Sequence, residues 1–218
     1  AIAAIMEKQR IPTLTMLAAD ADCDPRTLAS PARAEAKATK SLLRAAQHRA
    51  AYRGPEVTVD NLLRVLTDAL PPGTPPHRRL LASPNTSLLV YMTGHGGEGF
   101  FKFREHEELS SRELAAALVV LRRSHRFRRI LLVLDTCEAA TMMDELYGLD
   151  EVASLTASVR GEASYSTEWD AKLGIATMDR FSHHLALELV RAPRSRARSA
   201  LAAALGPHRV HSTVTLAD

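Results

Sequence analysis

SLLVYMTGHGG, residues 87–97, and ILLVLDTC, residues 130–137, decide how this chain folds. Each opens on a short run of Leu, Val and Ile, the pattern of a strand buried on both faces. Between them, Ser110 and Glu113 form a capping-box pattern that predicts a helix running to about Arg123. Strand, helix, strand in that order gives a parallel pair joined by a right-handed crossover. Both strands then finish at the same edge of one sheet, and in open α/β sheets that carboxyl edge is where ligands bind.

His95 follows the first run and Cys137 follows the second. Neighbouring parallel strands lie about 4.8 Å apart, so the two side chains can meet over one substrate. A thiol becomes an attacking thiolate when a base or a positive charge lies beside it, and a facing imidazole supplies that. The backbone amides of Gly96 and Cys137 are the natural donors to a developing oxyanion. Asp135 lies two residues before Cys137, so it shares that face of the strand; it either lines a pocket beside the nucleophile or caps the following turn. Read singly, a cysteine after a buried strand is an inert core thiol and a histidine between glycines a turn residue. Together, at matching strand ends, they read as a nucleophile and its base. The adjacent His183 and His184 do not share a helical face and give no metal site.

Working outward, residues 1–10 read as the end of a helix that Pro12 stops. Thr13 to Ala18 is a short apolar run expected to be a buried strand, followed by a turn-rich loop over 20–27. Residues 31–50, rich in Ala, Arg and Lys without apolar periodicity, read as an exposed insertion. A helix is expected over 57–70, closed by Pro71-Pro72-Gly73, and another over about Met178 to Val190. Residues 191–209 form a basic, solvated segment.

The chain has 218 residues, 46% of them apolar and 24% charged, with a net charge of +3. That suits a single α/β domain over 1–218. Two cysteines, Cys23 and Cys137, exclude a disulfide-built scaffold. No run of 18 apolar residues is present, so no transmembrane helix is expected within this stretch. With no initiator Met and no signal peptide at its start, it reads as a piece of a longer protein.

The string Tyr91-Met92-Thr93-Gly94-His95-Gly96-Gly97, followed by Phe100 and Lys102-Phe103, resembles the catalytic histidine segment of the GPI transamidase catalytic-subunit family. That family is a branch of the legumain-like cysteine peptidases. Asp135-Thr136-Cys137 resembles its nucleophile segment. Matches also occur at Glu56-Val57-Thr58-Val59, Leu62–Thr67, Arg79-Leu80-Leu81, Gly161-Glu162 and Met178-Asp179-Arg180. The arrangement parallels that of caspases, whose histidine lies about 50 residues before the cysteine.

The resemblance implies a caspase/legumain-like three-layer α/β sandwich with a mostly parallel central sheet, its first strand lying before Ala1. It implies a thiol transamidase with Cys137 and His95 catalytic, Gly96 and Cys137 donating to the oxyanion, and Asp135 and Ser158 in the substrate pocket. Its substrates would be a proprotein C-terminal signal and a GPI lipid. Its partners would be the other subunits of a membrane complex at the lumenal face of the endoplasmic reticulum, with Cys23 as the intermolecular disulfide candidate. No cofactor and no nucleic acid is expected. No metal is expected either, because Arg49, Ala51 and Thr13 stand where the family has acidic cation ligands. The family's Cys-Gln-Gly-Ala reads Cys137-Glu138-Ala139-Ala140 here, and its paired pocket serines read Ala157 and Ser158. The alternatives are a legumain-type asparaginyl endopeptidase and a catalytically inactive caspase-like scaffold.

Overall fold

The computed structural model describes residues 12–17, 50–104, 106–146, 148–167, 169–170, 175–176, 179–191 and 205–217. Cys23, the insertion expected at 31–50 apart from Ala50, and residues 192–204 of the basic segment lie outside them. In chain order the elements are β1 (Met16–Leu17), β2 (Tyr52–Arg53), α1 (Val59–Thr67), β3 (Ser87–Thr93), β4 (Gly96–Gly97), β5 (Phe100–Phe103), β6 (Glu107–Ser110) and α2 (Ser111–Arg123). They continue with β7 (Arg129–Asp135), β8 (Val152–Thr156), β9 (Trp169–Asp170), β10 (Ile175–Ala176), α3 (Arg180–Arg191), α4 (Pro207–Val210) and β11 (Thr215–Ala217).

The central sheet runs β11-β8-β7-β3. β3, β7 and β8 are parallel, and β11 closes one edge antiparallel to β8. The fold is therefore α/β with a mixed, mostly parallel sheet, as expected. Successive residues of a strand face opposite ways, and β7 divides its side chains accordingly. Ile130, Leu132 and Leu134 join the core made with Val65 and Leu66 of α1 and Leu114, Leu118 and Leu121 of α2. Val133 joins a second core with Leu155 of β8 and Phe181 and Leu185 of α3. Helices thus cover both faces, which is why Ile130–Leu134 of β7 are all apolar.

The capping box forms as read. The Ser110 side chain receives the Glu113 amide at 3.3 Å, and Glu113 Oε2 receives the Ser110 amide at 2.9 Å. The Ser110 hydroxyl, which donates to Glu113 Oε2 at 2.6 Å, and then the Ser110 amide hold the Glu113 carboxyl below the ordinary glutamate range. From there Leu114, Leu118 and Leu121 recur at helical spacing and are fully buried. Burial of each leucine contributes about 1.5–3 kcal/mol. α1 starts where the Thr58 hydroxyl accepts the Asn61 amide at 3.1 Å and stops at Asp68, whose backbone is left-handed.

Three elements have other bounds than the sequence suggests, and the helix expected over 57–70 spans Val59–Thr67. Among the described residues the run at 13–18 gives a ladder of Met16–Leu17, paired parallel with Tyr52–Arg53 outside the main sheet. Pro12 and Thr13 ahead of it are exposed, while Leu14 and Met16 pack against the main core. The helix expected from Met178 begins at Arg180. Asp179 bridges to Ser166 in an isolated antiparallel pair and is held outside the helix.

Candidate active site

β7 delivers the nucleophile candidate into a braced turn. Past Asp135, Thr136 is buried, Cys137 is half-buried, and Glu138 takes a left-handed backbone at φ 51° before a turn of 3-10 helix over Ala139–Met143. The Ser158 hydroxyl donates to the Thr136 carbonyl at 2.8 Å and accepts the Ala139 amide at 3.1 Å. The Glu138 amide donates to the Glu162 carbonyl at 2.9 Å, and the Ala140 amide to the Ser158 carbonyl at 3.0 Å. The Glu138 carboxylate receives the Gly161 amide at 3.0 Å. Cys137 is therefore suspended between fixed neighbours on both sides. Among the described residues its own amide has no acceptor, as an oxyanion donor requires.

β3 delivers the histidine to the same place. Thr93 and Asp135 are in-register partners of the parallel β3–β7 ladder. His95 follows Thr93 by two residues, and Cys137 follows Asp135 by two. The Gly94 amide donates to the Asp135 carbonyl at 3.1 Å and extends the pairing one step. The exposed His95 is held through its carbonyl, which accepts the Lys102 amide at 2.9 Å. Antiparallel pairs alternate between hydrogen-bonded and non-bonded positions. With His95 opposite Lys102 bonded, the next pair, Gly96 opposite Phe101, is non-bonded, so Gly96 turns its amide away from β5. Arg160 spans the segments that carry His95 and Cys137, pairing with Glu98 of the β4–β5 turn and with Asp144 at 2.6 Å after the Cys137 turn. These groups are exposed, so the pairs contribute little stability.

Asp135 is 1% exposed. Its Oδ1 accepts the Ser164 hydroxyl at 2.7 Å, and its Oδ2 accepts the Ser182 amide at 3.1 Å together with the Ser182 hydroxyl. Burial pushes its carboxyl above the ordinary aspartate range; the Ser182 and Ser164 hydroxyls oppose that, and Asp179 adds to it. Tyr91 closes a hydrogen bond with Ser182, and burial pushes its phenol up to about 12. Asp179 in turn accepts the Thr93 hydroxyl at 3.1 Å and the Ser166 hydroxyl at 3.0 Å.

The fold thus brings His95, Gly96, Asp135 and Cys137 to one sheet edge. Ser158 sits beneath the nucleophile turn, fully buried, with its hydroxyl engaged on both sides of Cys137. Sequence reasoning missed Ser164 and Ser182 as partners of Asp135, and Tyr91 as the partner of Ser182. They come from β3, α3 and the loop after β8, and nothing in their local sequence marks them. The one available signal was parity, since Tyr91 shares a strand face with Thr93.

The sequence profile described as the Peptidase C13 family matches residues 29–197, more than half of the chain. A GPI-anchor transamidase of Homo sapiens is 42% identical over 134 residues, covering 62% of this chain and 34% of the relative. That of Schizosaccharomyces pombe is 42% identical over 131 residues, covering 60% and 34%. That of Saccharomyces cerevisiae is 39% identical over 133 residues, covering 61% and 32%. The chain spans about a third of the length of these curated relatives.

Proposed function

Because the chain belongs to the peptidase C13 family, we propose that it carries the catalytic core of a GPI-anchor transamidase, with Cys137 as nucleophile and His95 as base. The observation that carries this reading is the matched pair of strand ends, in which His95 and Cys137 each stand two residues beyond the registered partners Thr93 and Asp135.

The cycle runs through a thioester. His95 takes the proton from the Cys137 thiol as sulfur attacks the carbonyl of a small residue near the C-terminus of a proprotein. The amides of Gly96 and Cys137 receive the negative charge that forms on the carbonyl oxygen. As the C–N bond breaks, His95 returns the proton to the departing amine, and the tail of about 10–20 apolar residues leaves. The ethanolamine amine of a GPI lipid then attacks the thioester and loses its proton through His95. An amide forms, and the thiol is regenerated. Asp135 and the turn braced by Ser158 form the wall that holds the small residue.

Partner subunits at the lumenal face of the endoplasmic reticulum membrane would shield the thioester from water, and Cys23 would tether the chain to one of them. No helix among the described residues is long and apolar enough to cross a membrane. Non-reducing gels of the native complex test the tether: a Cys23-dependent heavier species is expected, and migration of the subunit alone overturns it.

The test of the activity uses cells that lack their own catalytic subunit. The full-length protein restores display of a GPI-anchored reporter, whereas Cys137→Ser and His95→Ala do not. Full rescue by Cys137→Ser overturns the reading.

A further inference from the structure

The carboxylate nearest Cys137 along β7 is not held by its own strand. Asp135 is gripped from across the sheet by a single residue of α3, Ser182, which gives both its amide and its hydroxyl to the same oxygen, Oδ2. The hydroxyl has one hydrogen, and the carboxylate takes it. In the bond between Tyr91 and Ser182 the phenol is therefore the donor. The result is a directed chain, from Tyr91 on β3, through Ser182 on α3, to Asp135 on β7. All three side chains are wholly or largely shielded from water, Ser182 being 7% and Asp135 1% exposed.

On the reading of Asp135 as pocket wall, we propose that Ser182, backed by Tyr91, is a positioning residue that fixes the Asp135 carboxylate beside Cys137 and sets how the pocket holds the residue being cleaved. Ser182 acts through Asp135 and touches no substrate. Each carboxylate oxygen offers about two acceptor sites. Among the described residues, Oδ2 takes the two Ser182 donors and Oδ1 takes Ser164 at 2.7 Å. The chain also works against two forces that favour the neutral acid: burial of Asp135 and the like charge of Asp179. Tyr91 lies on the other side of Ser182 and, with its phenol pushed up to about 12, remains a donor throughout the working range. Hydrogen bonds to an ionised acceptor favour the ionised form, so removing Ser182 moves Asp135 towards protonation at higher pH.

The test is the pH profile of kcat/KM for peptide transamidation by the complete enzyme, with hydrazine as the acyl acceptor. Parent, Ser182→Ala, Tyr91→Phe and Asp135→Asn are compared. Ser182→Ala is expected to move the acid limb up by about one pH unit and to raise KM more than it lowers kcat. Tyr91→Phe keeps its ring and is expected to shift the limb the same way by less. A fall in activity of equal size at every pH in both variants, with the limb unmoved, shows a purely structural role and overturns the proposal. Asp135→Asn separates the two claims. If it removes the limb while Ser182→Ala and Tyr91→Phe leave the limb in place, the pocket reading stands and this inference fails. If it keeps both the parent limb and the parent KM, the pocket reading fails and the inference with it.

Discussion

Gly96 packs against Thr136 so closely that a β-carbon at position 96 would lie 2.5 Å from the threonine hydroxyl oxygen and 2.7 Å from the Phe100 carbonyl oxygen. The residue after His95 and the residue before Cys137 thus pack too closely to admit a side chain at position 96. The Thr136 hydroxyl is buried without a hydrogen-bond partner among the described residues, so packing is what this pair provides. Gly96→Ala is expected to cost about 1–3 kcal/mol, as overpacking does, because the Phe100 carbonyl belongs to the backbone and cannot rotate aside. It is also expected to lower kcat/KM at least tenfold, by displacing the Gly96 amide from the oxyanion. Thermal unfolding and steady-state kinetics on the same preparation check both effects; an alanine variant with parental activity shows that this contact does not set the site.

Ser158→Ala removes the hydroxyl that ties the Thr136 carbonyl to the Ala139 amide. Both backbone groups are then left buried without that partner, at a cost of about 1–3 kcal/mol. The turn carrying Cys137 loosens, so kcat is expected to fall by on the order of tenfold. A variant that loses stability but keeps kcat shows that the brace serves the fold alone.

The central motif was legible because its signals are local. Two apolar runs, a capping box between them and a histidine and cysteine at their ends suffice to place both strands, the crossover helix and the catalytic edge. The family's Cys-Gln-Gly-Ala reads Cys137-Glu138-Ala139-Ala140 here, and the structure shows why alanine fits. The left-handed backbone falls on Glu138, where the Gly161 amide and Glu162 carbonyl hold it, and not on Ala139. What the sequence hid was non-local. β4, β5 and β6 are strands of two to four residues, too short for alternation to declare them. The Tyr91–Ser182–Asp135 chain joins residues that only the sheet and α3 bring together. Ser158 reads as a pocket hydroxyl in the sequence, but the structure places that hydroxyl in the turn beneath Cys137.

Glu162 links the loop that holds Glu138 to the segment before β11. Its carboxylate receives the Thr213 amide and hydroxyl, each at 2.8 Å. The Thr213 amide first, then the hydroxyl, hold its carboxyl below the ordinary glutamate range. A carboxyl depressed on folding adds stability above its unfolded value, about 4.3, and that stability is lost as pH falls through the lower folded value. Glu162→Gln is therefore expected to lower Tm by a few degrees at neutral pH and to converge with the parent in acid. Parallel Tm–pH curves with a constant gap contradict the assignment.

The central claim is that Cys137 carries the acyl group. Intact-mass and peptide mass spectrometry of the complete enzyme, incubated with a proprotein-derived peptide and no amine acceptor, tests it most directly. The expected result is an adduct equal to the acyl portion of the substrate, located on the peptide containing Cys137, discharged by hydroxylamine, absent in Cys137→Ala and greatly slowed in His95→Ala. Turnover at the parental rate by Cys137→Ala, or an adduct mapped to another residue, would contradict the account.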